Sequence, residues 1–381
     1  MATTVDQVLN ALRQVIDPDL GKDIVTLGFV GKDDVAIEGD TVKATVYLTT
    51  PACPVKDQMK AQAESLLAAI PGVESVAVEM TAEVRGRART AEEMAPGVRH
   101  VIAVSSGKGG VGKSTVTINL AVALAKTGAR VGVLDCDVHG PDVPMMLGCS
   151  GEPEVVDKRL IPKENHGIKS MSIGYLIPDD KPVIWRGPMV HKLIEQFLAD
   201  VEWGELDYLL VDMPPGTGDA QLSLAQIVPM TGSVLVTTPQ AVSTFDVGKA
   251  ISMFDQVKVP ILGIVENMTG FAIQGTAAGA SSVELEIGGA TESVPVGEDG
   301  RFEHVVPIFG SGGGQGLCEK HGFEFLGGIP IDPAVRVGGD GGAPILLSAP
   351  ESIAAGMFRE IAGKVAAEVA KRERMSLPVL Q

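Results

Sequence analysis

The residues best suited to chemistry in this chain form one short loop. Residues 107–115 read Gly-Lys-Gly-Gly-Val-Gly-Lys-Ser-Thr and directly follow an apolar run at 101–104. A glycine, then Gly-Lys-Ser after four intervening residues, is the spacing of a phosphate-binding loop, in which backbone N–H groups, the lysine and a Mg²⁺-binding hydroxyl hold a polyphosphate. We assign catalysis to Lys113 and magnesium binding to Ser114. We expect the phosphates of a nucleotide to be bound by Gly107, Lys108, Gly109, Gly110, Val111, Gly112, Lys113, Ser114 and Thr115.

Two further apolar segments end in carboxylates that would complete a nucleotide site. One leads into Asp135 and Asp137, and the other leads into Asp212 and a Gly/Pro-rich loop. Carboxylates at the C-terminal ends of parallel strands lie where ligands bind in open α/β sheets. We assign Asp135 and Asp212 to the Mg²⁺ shell, and we expect Asp137, together with Asp212, to serve catalysis, with Asp137 orienting the attacking water. The alternative for each aspartate is a strand-end cap or a turn former.

Three residues near later strands are candidates for the base pocket. Asn267 follows an apolar segment, and its amide can pair bidentately with an adenine edge. Pro330 and Asp332 follow the last predicted strand, and we expect them to line the same pocket. The alternative for Asn267 is an ordinary turn residue.

Strand-like apolar segments alternate with helical periodicities over the larger part of the chain. The predicted strands are 101–104, 131–135, 209–212, 233–238, 261–266 and 325–329. The predicted helices are 115–126, 191–200, 220–227, 242–256 and 352–374. This alternation predicts an α/β fold, a P-loop NTPase whose mostly parallel sheet is flanked by helices on both faces.

Lys108 narrows the class, because an ordinary phosphate-binding loop needs no cation at that position. The segment 108–115 resembles the deviant Walker A loop of the MinD/ParA/ArsA-type ATPases. In that class the first lysine contacts phosphates across a nucleotide-sandwich dimer, so the resemblance implies a catalytic role for Lys108. The alternative is a solvated loop lysine.

Longer motifs resemble the Mrp/ApbC family over nearly all of residues 99–372. They are Asp-Val-His-Gly-Pro-Asp-Val-Pro at 137–144, Trp-Arg-Gly-Pro-Met at 185–189, Asp-Met-Pro-Pro-Gly-Thr-Gly-Asp at 212–219, Glu-Asn-Met at 266–268 and Gly-Asp at 339–340. Members of this family are ATP-binding homodimers that carry iron–sulfur clusters or transfer them to apoproteins. The resemblance implies slow, dimer-dependent ATP hydrolysis, ATP and Mg²⁺ as cofactors, a [4Fe-4S] cluster as a candidate cofactor, and apo iron–sulfur proteins as partners.

Residues 1–84 are predicted to form a separate small α/β domain, joined by a polar linker at 85–98 to an ATPase domain at 99–381. Its predicted elements are helices at 5–16 and 55–70 and strands at 35–37, 42–48 and 73–78. Asp-Pro-Asp at 17–19 and Thr-Thr-Pro-Ala-Cys-Pro at 49–54 resemble a small domain found in iron–sulfur assembly factors. Cys53 precedes a predicted helix, a location that favours the thiolate, and is a candidate cluster ligand. The alternative is a buried, inert cysteine.

One feature of the family is missing. Carriers of this family have a Cys-x-x-Cys pair shortly after the Glu-Asn-Met segment, whereas this chain continues into an inserted Gly/Ala/Ser-rich segment at 273–307 that has no cysteine. None of the four cysteines of the chain forms a Cys-x-x-Cys. Cys318 and His321 share a helix face at i, i+3, so Cys318 is a second candidate cluster ligand. The alternative is a packed cysteine beside a surface histidine.

Composition sets limits on location and partners. The net charge of −17 makes broad affinity for nucleic acid or anionic membranes unfavourable. Four unpatterned cysteines fit a reducing compartment, and neither a secretory signal nor a membrane-spanning run is evident. We therefore expect a cytoplasmic protein that binds neither nucleic acid nor membrane.

Three functional hypotheses remain open at this point. The first is an Mrp-type ATPase of iron–sulfur cluster assembly with an altered or lost cluster site. The second is an ATP-switched adaptor that binds client proteins without a cluster of its own, and the missing cysteine pair favours it. The third is a ParA/MinD-like positioning ATPase, against which the acidic charge and the Mrp-type motifs count. We predict the first.

Overall fold

The structure, a computed structural model, describes residues 3–16, 22–26, 29–47, 56–81, 94–138, 140–176 and 187–376. The chain divides into two compact units, Met1–Arg89 and Thr90–Gln381. The candidate ligand Cys53 lies outside the described residues.

The predicted linker at 85–98 extends too far into the larger unit. Met94 and Ala95 are buried in the core of that unit, and the Ala95 N–H donates to the Leu198 carbonyl at 2.9 Å. Apolar side chains this deeply buried stabilise the unit in which they pack. The end of the predicted linker therefore belongs to the ATPase unit.

The smaller unit packs two helices against a three-stranded sheet, counted over the described residues. Its elements are α1 (Val5–Leu12), β1 (Val35–Glu38), β2 (Thr41–Tyr47), α2 (Lys56–Ala68) and β3 (Ser75–Thr81). The central strand β2 is antiparallel to β1 and parallel to β3. Helix α1 ends at Leu12 rather than at residue 16, because the backbone changes to i→i−3 hydrogen bonds at residues 14 and 15.

The larger unit contains the remaining strands. They are β4 (Val98–Ser106), β5 (Val131–Asp135), β6 (Val155–Val156), β7 (Arg159–Leu160), β8 (Lys163–Asn165), β9 (Ile168–Ser172), β10 (Leu206–Asp212), β11 (Gly232–Thr237), β12 (Ile261–Thr276), β13 (Ser282–Ile287), β14 (Ala290–Pro295), β15 (Arg301–Val306) and β16 (Phe325–Ile331). Within the described residues, nine of them form one sheet in the order β15-β12-β11-β4-β10-β5-β9-β8, with β16 beside β12. The neighbouring strands β9, β5, β10, β4, β11, β12 and β16 are joined by parallel ladders. Among the described strands of this sheet, only β8 and β15 pair antiparallel with their neighbours. The prediction of a mostly parallel sheet is therefore confirmed.

Helices cover both faces of the sheet. They are α3 (Lys113–Lys126), α4 (Val143–Leu147), α5 (Gly187–Ala199), α6 (Asp219–Ile227), α7 (Ala241–Gln256), α8 (Gly313–His321), α9 (Pro333–Asp340), α10 (Ile345–Ser348) and α11 (Ile353–Ser376). Alternate residues of β4 point to opposite sides, so Ile102 packs in the core beneath α3 and α11, whereas Val101 packs in the core beneath α5, α6 and α7. None of the described helices combines the length and apolar composition needed to cross a bilayer.

The inserted segment forms strands that the sequence analysis did not predict. The second half of β12 pairs antiparallel with β15 from Phe271↔Val306 to Thr276↔Arg301, and β13 and β14 form a hairpin between them. We call residues 271–306 the arm. A Cβ on Gly275 would lie 2.5 Å from the Phe302 ring, so glycine allows the aromatic ring to pack across the strand.

Candidate functional site

The phosphate-binding loop connects the C-terminal end of β4 to the N-terminus of α3. Gly112, which precedes α3, has φ +80°, a left-handed conformation that favours glycine. A Cβ there would lie 2.3 Å from Asn267 Nδ2, and a Cβ on Gly107 would lie 2.3 Å from the main-chain carbonyl carbon of Asp246. Both glycines therefore permit close packing of the loop against neighbouring elements, while the positive end of the α3 dipole points into the loop.

Lys113 lies among the carboxylates that the sequence predicts for this site. Its Nζ is 2.9 Å from Asp212 Oδ2 and 3.6 Å from Asp137 Oδ2, and its side chain is 6% exposed. Burial by itself lowers the pKa of Lys113, but the neighbouring aspartates, with Asp212 the strongest influence, raise it above its ordinary value. Lys113 therefore carries its charge in the interior, where an anion is its natural partner.

Asp212 is fully buried and accepts two hydroxyl hydrogen bonds from α3. Ser114 Oγ donates to Asp212 Oδ2 at 2.6 Å, and Thr117 Oγ1 donates to Asp212 Oδ1 at 2.7 Å. Thr117 is not among the residues predicted for the site. Its i, i+4 spacing from Lys113, which puts both side chains on one face of the helix, is the signal that could have found it.

Asp135 and Asp137 lie at the end of β5. Asp135 Oδ1 accepts from the Asp137 N–H at 3.0 Å, and Asp135 Oδ2 accepts from Ser172 Oγ at 2.8 Å. Burial, followed by the charge of Asp212, raises the pKa of Asp135 well above its usual range. A nearby cation therefore stabilises this group of carboxylates. Ser172 was missed because β9, which positions it, was not predicted.

The oxygen atoms of this site fit Mg²⁺. The Ser114 hydroxyl and the Asp212 carboxylate lie 2.6 Å apart, and Asp135 lies on the strand next to Asp212 in register. Hydroxyl and carboxylate oxygens are ligands that Mg²⁺ prefers, and the ion usually retains several waters. Ser114, Asp135 and Asp212, the three residues predicted to bind Mg²⁺, therefore lie together at one edge of the sheet.

Asn267 contacts the phosphate-binding loop directly. Its Nδ2 donates to the Val111 carbonyl at 2.8 Å, and the side chain is buried. The following residue, Met268, has φ +59°, which is strained for a residue with a side chain. Pairing of Asn267 with adenine remains a prediction, because the same amide group here holds the loop.

Pro330 and Asp332 belong to different elements of the structure. Pro330 lies in β16, and Asp332 begins α9 by accepting from the Ala334 N–H at 2.8 Å. An aspartate in this position satisfies a free N–H group of the first turn. The contribution of both residues to a base pocket remains a prediction.

Glu266 is a buried residue of this edge that the sequence analysis did not select. It is 2% exposed, and its carboxylate accepts from the Gly312 N–H at 3.2 Å and from the Gly314 N–H at the start of α8. Buried carboxylates require such partners. Its position at the end of an apolar strand was the available signal.

Lys108 lies on the rim of the loop and is half-buried. Ser106 Oγ donates to its carbonyl at 2.9 Å, while its ammonium has no ion-pair partner among the residues that the structure describes. A phosphate contact of Lys108 across a dimer remains a prediction.

Cys136 and Cys318 lie in surroundings that disfavour thiolates. Burial raises the pKa of the Cys318 thiol to about 11, and its Sγ donates to the Glu324 carbonyl at 3.4 Å. His321 stacks on Phe323 instead, with ring centroids 5.8 Å apart. Burial and the adjacent Asp135 raise the pKa of Cys136 well above its usual range. Within the described ranges, no group of three or more His, Cys, Asp or Glu side chains is arranged to hold a metal ion. These observations count against Cys318 as a cluster ligand.

Comparison with known protein families identifies the class of the chain. A profile of the ParA group, described as NUBPL iron-transfer P-loop NTPase, matches residues 97–283 and 278–366. The chain belongs to this family. A second profile, described as iron–sulfur cluster assembly protein, matches residues 5–80. The predicted P-loop NTPase fold and ATPase class are thereby confirmed, together with the resemblance of the N-terminal unit.

Two known proteins are similar to this chain over nearly its full length. An iron–sulfur cluster carrier protein of Synechocystis sp. is 47% identical over 372 residues, covering 96% of this chain and 98% of the relative. One of Deinococcus radiodurans is 45% identical over 376 residues and covers 98% of both chains. A nucleotide-binding protein of Archaeoglobus fulgidus, solved in complex with ADP, is 39% identical with a TM-score of 0.51, covering 66% of this chain and 90% of its own.

Proposed function

We propose that this chain hydrolyses ATP slowly as a homodimer and uses the cycle to assemble iron–sulfur clusters and deliver them to apoproteins. The observation that carries the proposal is the contact of Lys113 with Asp212 at 2.9 Å, with Ser114 2.6 Å from the same carboxylate oxygen. Similarity to iron–sulfur cluster carriers over nearly the whole chain supports the cargo. We place the protein in the cytoplasm, with neither nucleic acid nor membrane as a partner.

The residues of the site have distinct tasks in this proposal. Lys113 exchanges the Asp212 carboxylate for the β and γ phosphates, which compete for the same ammonium. Ser114 and Asp212, supported by Asp135, would hold Mg²⁺, which supplies charge neutralisation at the phosphates. Asp137, which faces Lys113, orients the attacking water.

Dimerisation completes the site in this proposal. Lys108 of one subunit contacts the nucleotide of its partner, because its ammonium has no ion-pair partner in the described part of its own chain. Asn267, Pro330 and Asp332 contribute the base pocket, which requires Asn267 to exchange the Val111 carbonyl for adenine.

Hydrolysis is tested by the ATPase rate per chain over a range of protein concentrations. We expect the rate per chain to rise with concentration, because turnover needs the dimer. Lys113→Ala should abolish turnover, whereas Lys126→Ala, an exposed lysine at the end of the same helix, should not change it. A rate per chain that is independent of concentration across the monomer–dimer transition would contradict the dimer requirement.

The cargo site is tested by anaerobic iron–sulfide reconstitution. Cys53 is the preferred ligand in this proposal, since the thiol of Cys318 is buried and its pKa is raised to about 11. Absorbance and iron per dimer are measured for the wild type, Cys53→Ala and Cys318→Ala. A cluster that is lost only in Cys53→Ala supports a carrier with ligands in the N-terminal unit, and loss only in Cys318→Ala moves the site to α8.

The ATP-switched adaptor remains the second candidate because of the arm. At the place where carriers of the family have their cysteine pair, this chain has strands with no cysteine at all. The reconstitution experiment separates the two functions. Intact ATPase activity without any bound cluster in the wild type would replace the carrier by the adaptor.

A further inference from the structure

Gln221 lies in the first turn of α6, beneath the loop that follows Asp212. It is 1% exposed, and it was not among the residues predicted for the site. Its Nε2 donates to Ser105 Oγ at 2.5 Å and to the Pro214 carbonyl at 3.0 Å. One side chain therefore joins two segments that both end at the nucleotide site.

The orientation of this amide is determined by its partners. The Pro214 carbonyl can only accept, so the atom that faces it must be the nitrogen of Gln221. Within the described residues, Oε1 of Gln221 is then buried without a hydrogen-bond partner. A buried carbonyl oxygen without a partner lowers stability, which offsets the stability gained from the two donated bonds. Stability alone therefore gives no reason for a glutamine here, and such conflicts are typical of functional positions.

The two segments that Gln221 joins each lead into a part of the predicted phosphate site. Ser105 lies on β4, just before the phosphate-binding loop, and Pro214 comes two residues after Asp212. Main-chain bonds hold the same junction, from the Met213 N–H to the Val104 carbonyl at 3.0 Å and from the Gly216 N–H to the Ser106 carbonyl at 3.2 Å. Gln221 adds a side-chain link between these two main-chain bonds.

We propose that Gln221 is a positioning residue for ATP hydrolysis, which fixes the Met213–Gly218 loop against the strand that carries the phosphate-binding loop. This inference rests on the proposed hydrolysis. Nucleotide binding depends on the loop backbone and Lys113, which Gln221 does not contact, so its removal affects turnover more than affinity. Small displacements of catalytic groups are costly, since a shift of about 1 Å can reduce a rate by about 100-fold.

The test compares Gln221→Met and Gln221→Glu with Gln226→Met, an exposed glutamine on the same helix. Methionine keeps the length and apolar stem but cannot donate to Pro214. We expect kcat of Gln221→Met to fall at least about tenfold while its Kd for ADP stays within about twofold of the wild type, a split that shows loss of an interaction needed in the transition state. Gln226→Met should match the wild type in both.

Gln221→Glu gives a readout that a merely structural role would not move. A protonated carboxyl can donate to the Pro214 carbonyl, whereas a carboxylate can only accept. Relative to the wild type at each pH, kcat of Gln221→Glu should therefore recover as the pH is lowered, while that of Gln221→Met should stay low. Thermal unfolding of each variant confirms that it is folded.

Three results would overturn the assignment. They are an unchanged kcat in Gln221→Met, a loss of ADP affinity as large as the loss of kcat, and a pH profile of Gln221→Glu that runs parallel to the wild type. If the wild type itself shows no ATP turnover under dimerising conditions, the proposed function fails and the assignment fails with it. Turnover in the wild type that persists in Gln221→Met overturns the assignment alone.

Discussion

The interior position of Lys113 gives a prediction about stability that does not depend on turnover. The ammonium and the Asp212 carboxylate are 6% and 1% exposed and lie 2.9 Å apart, so Lys113→Ala leaves a buried carboxylate without its cation. Removing one partner of a buried ion pair typically costs 3–5 kcal/mol. We expect the lower end, about 3 kcal/mol at pH 8, because Ser114 and Thr117 still donate to Asp212.

The loss should depend on pH, with a sign fixed by Asp135. Its pKa in the folded protein is already raised by burial and by Asp212, and the charge of Lys113 opposes that rise, so removing the lysine raises it further. A carboxyl with a raised folded pKa binds more protons in the folded state than in the unfolded state. Its contribution to stability is fully present below the unfolded value of 3.8 and is lost as the pH rises through the folded value. The destabilisation by Lys113→Ala should therefore shrink as the pH is lowered from 8 towards 5.

Tryptophan fluorescence during urea unfolding measures this effect in the ATPase unit alone. Both tryptophans of the chain, Trp185 and Trp203, belong to that unit, and Trp203 is fully buried. The midpoint of Lys126→Ala serves as the control, because that lysine is exposed on the same helix. Equal midpoints for Lys113→Ala and Lys126→Ala, or a loss that does not change with pH, would refute the reasoning that the charges are desolvated.

Three further predictions follow from the same geometry. Lys108→Ala should keep its affinity for ADP but lose at least about tenfold of the concentration-dependent ATPase rate, and full turnover at high protein concentration would contradict the trans contact. Gly112→Ala should lose nucleotide binding in calorimetry, because residue 112 has a left-handed backbone conformation and the added Cβ would lie 2.3 Å from Asn267 Nδ2. Gly248→Ala should bind normally, because a Cβ at that position meets no atom within 4 Å. Cys318 should react with iodoacetamide at pH 8 only after unfolding, because burial raises the pKa of its thiol to about 11, and rapid labelling of the native protein, read by mass spectrometry, would show an accessible thiolate.

Six of the nine described strands of the central sheet were predicted, because these strands are largely buried on both faces. The cores of these strands, such as 209–211 and 234–236, are continuous apolar runs, which is typical of parallel strands covered by helices. The phosphate-binding loop was predictable because its spacing is set by a ligand that all such loops share. The carboxylates at the ends of β5 and β10 followed from the same topology.

Long-range contacts were beyond the sequence analysis. Thr117, Ser172 and Glu266 act through hydrogen bonds to residues that are distant in the chain or on elements not predicted. The strands of the arm were not predicted, and the order of residues 273–307 was left open, although residues 283–287 alternate between apolar and charged. Cys318 and His321 lie on the same helix as predicted, but Cys318 donates to the Glu324 carbonyl whereas His321 stacks on Phe323.

The two ends of the arm lie next to each other, so the length of the arm can vary without moving the rest of the ATPase unit. The pair Phe271↔Val306 and the Glu266 contacts with Gly312 and Gly314 bring the two ends of the arm together beside the ATP site. Everything beyond that pair is a side branch of the chain, and changing the length of a closed branch costs little loop entropy. The outer arm is therefore a module that can be shortened, lengthened or exchanged for another hairpin while the residues that hold ATP keep their places.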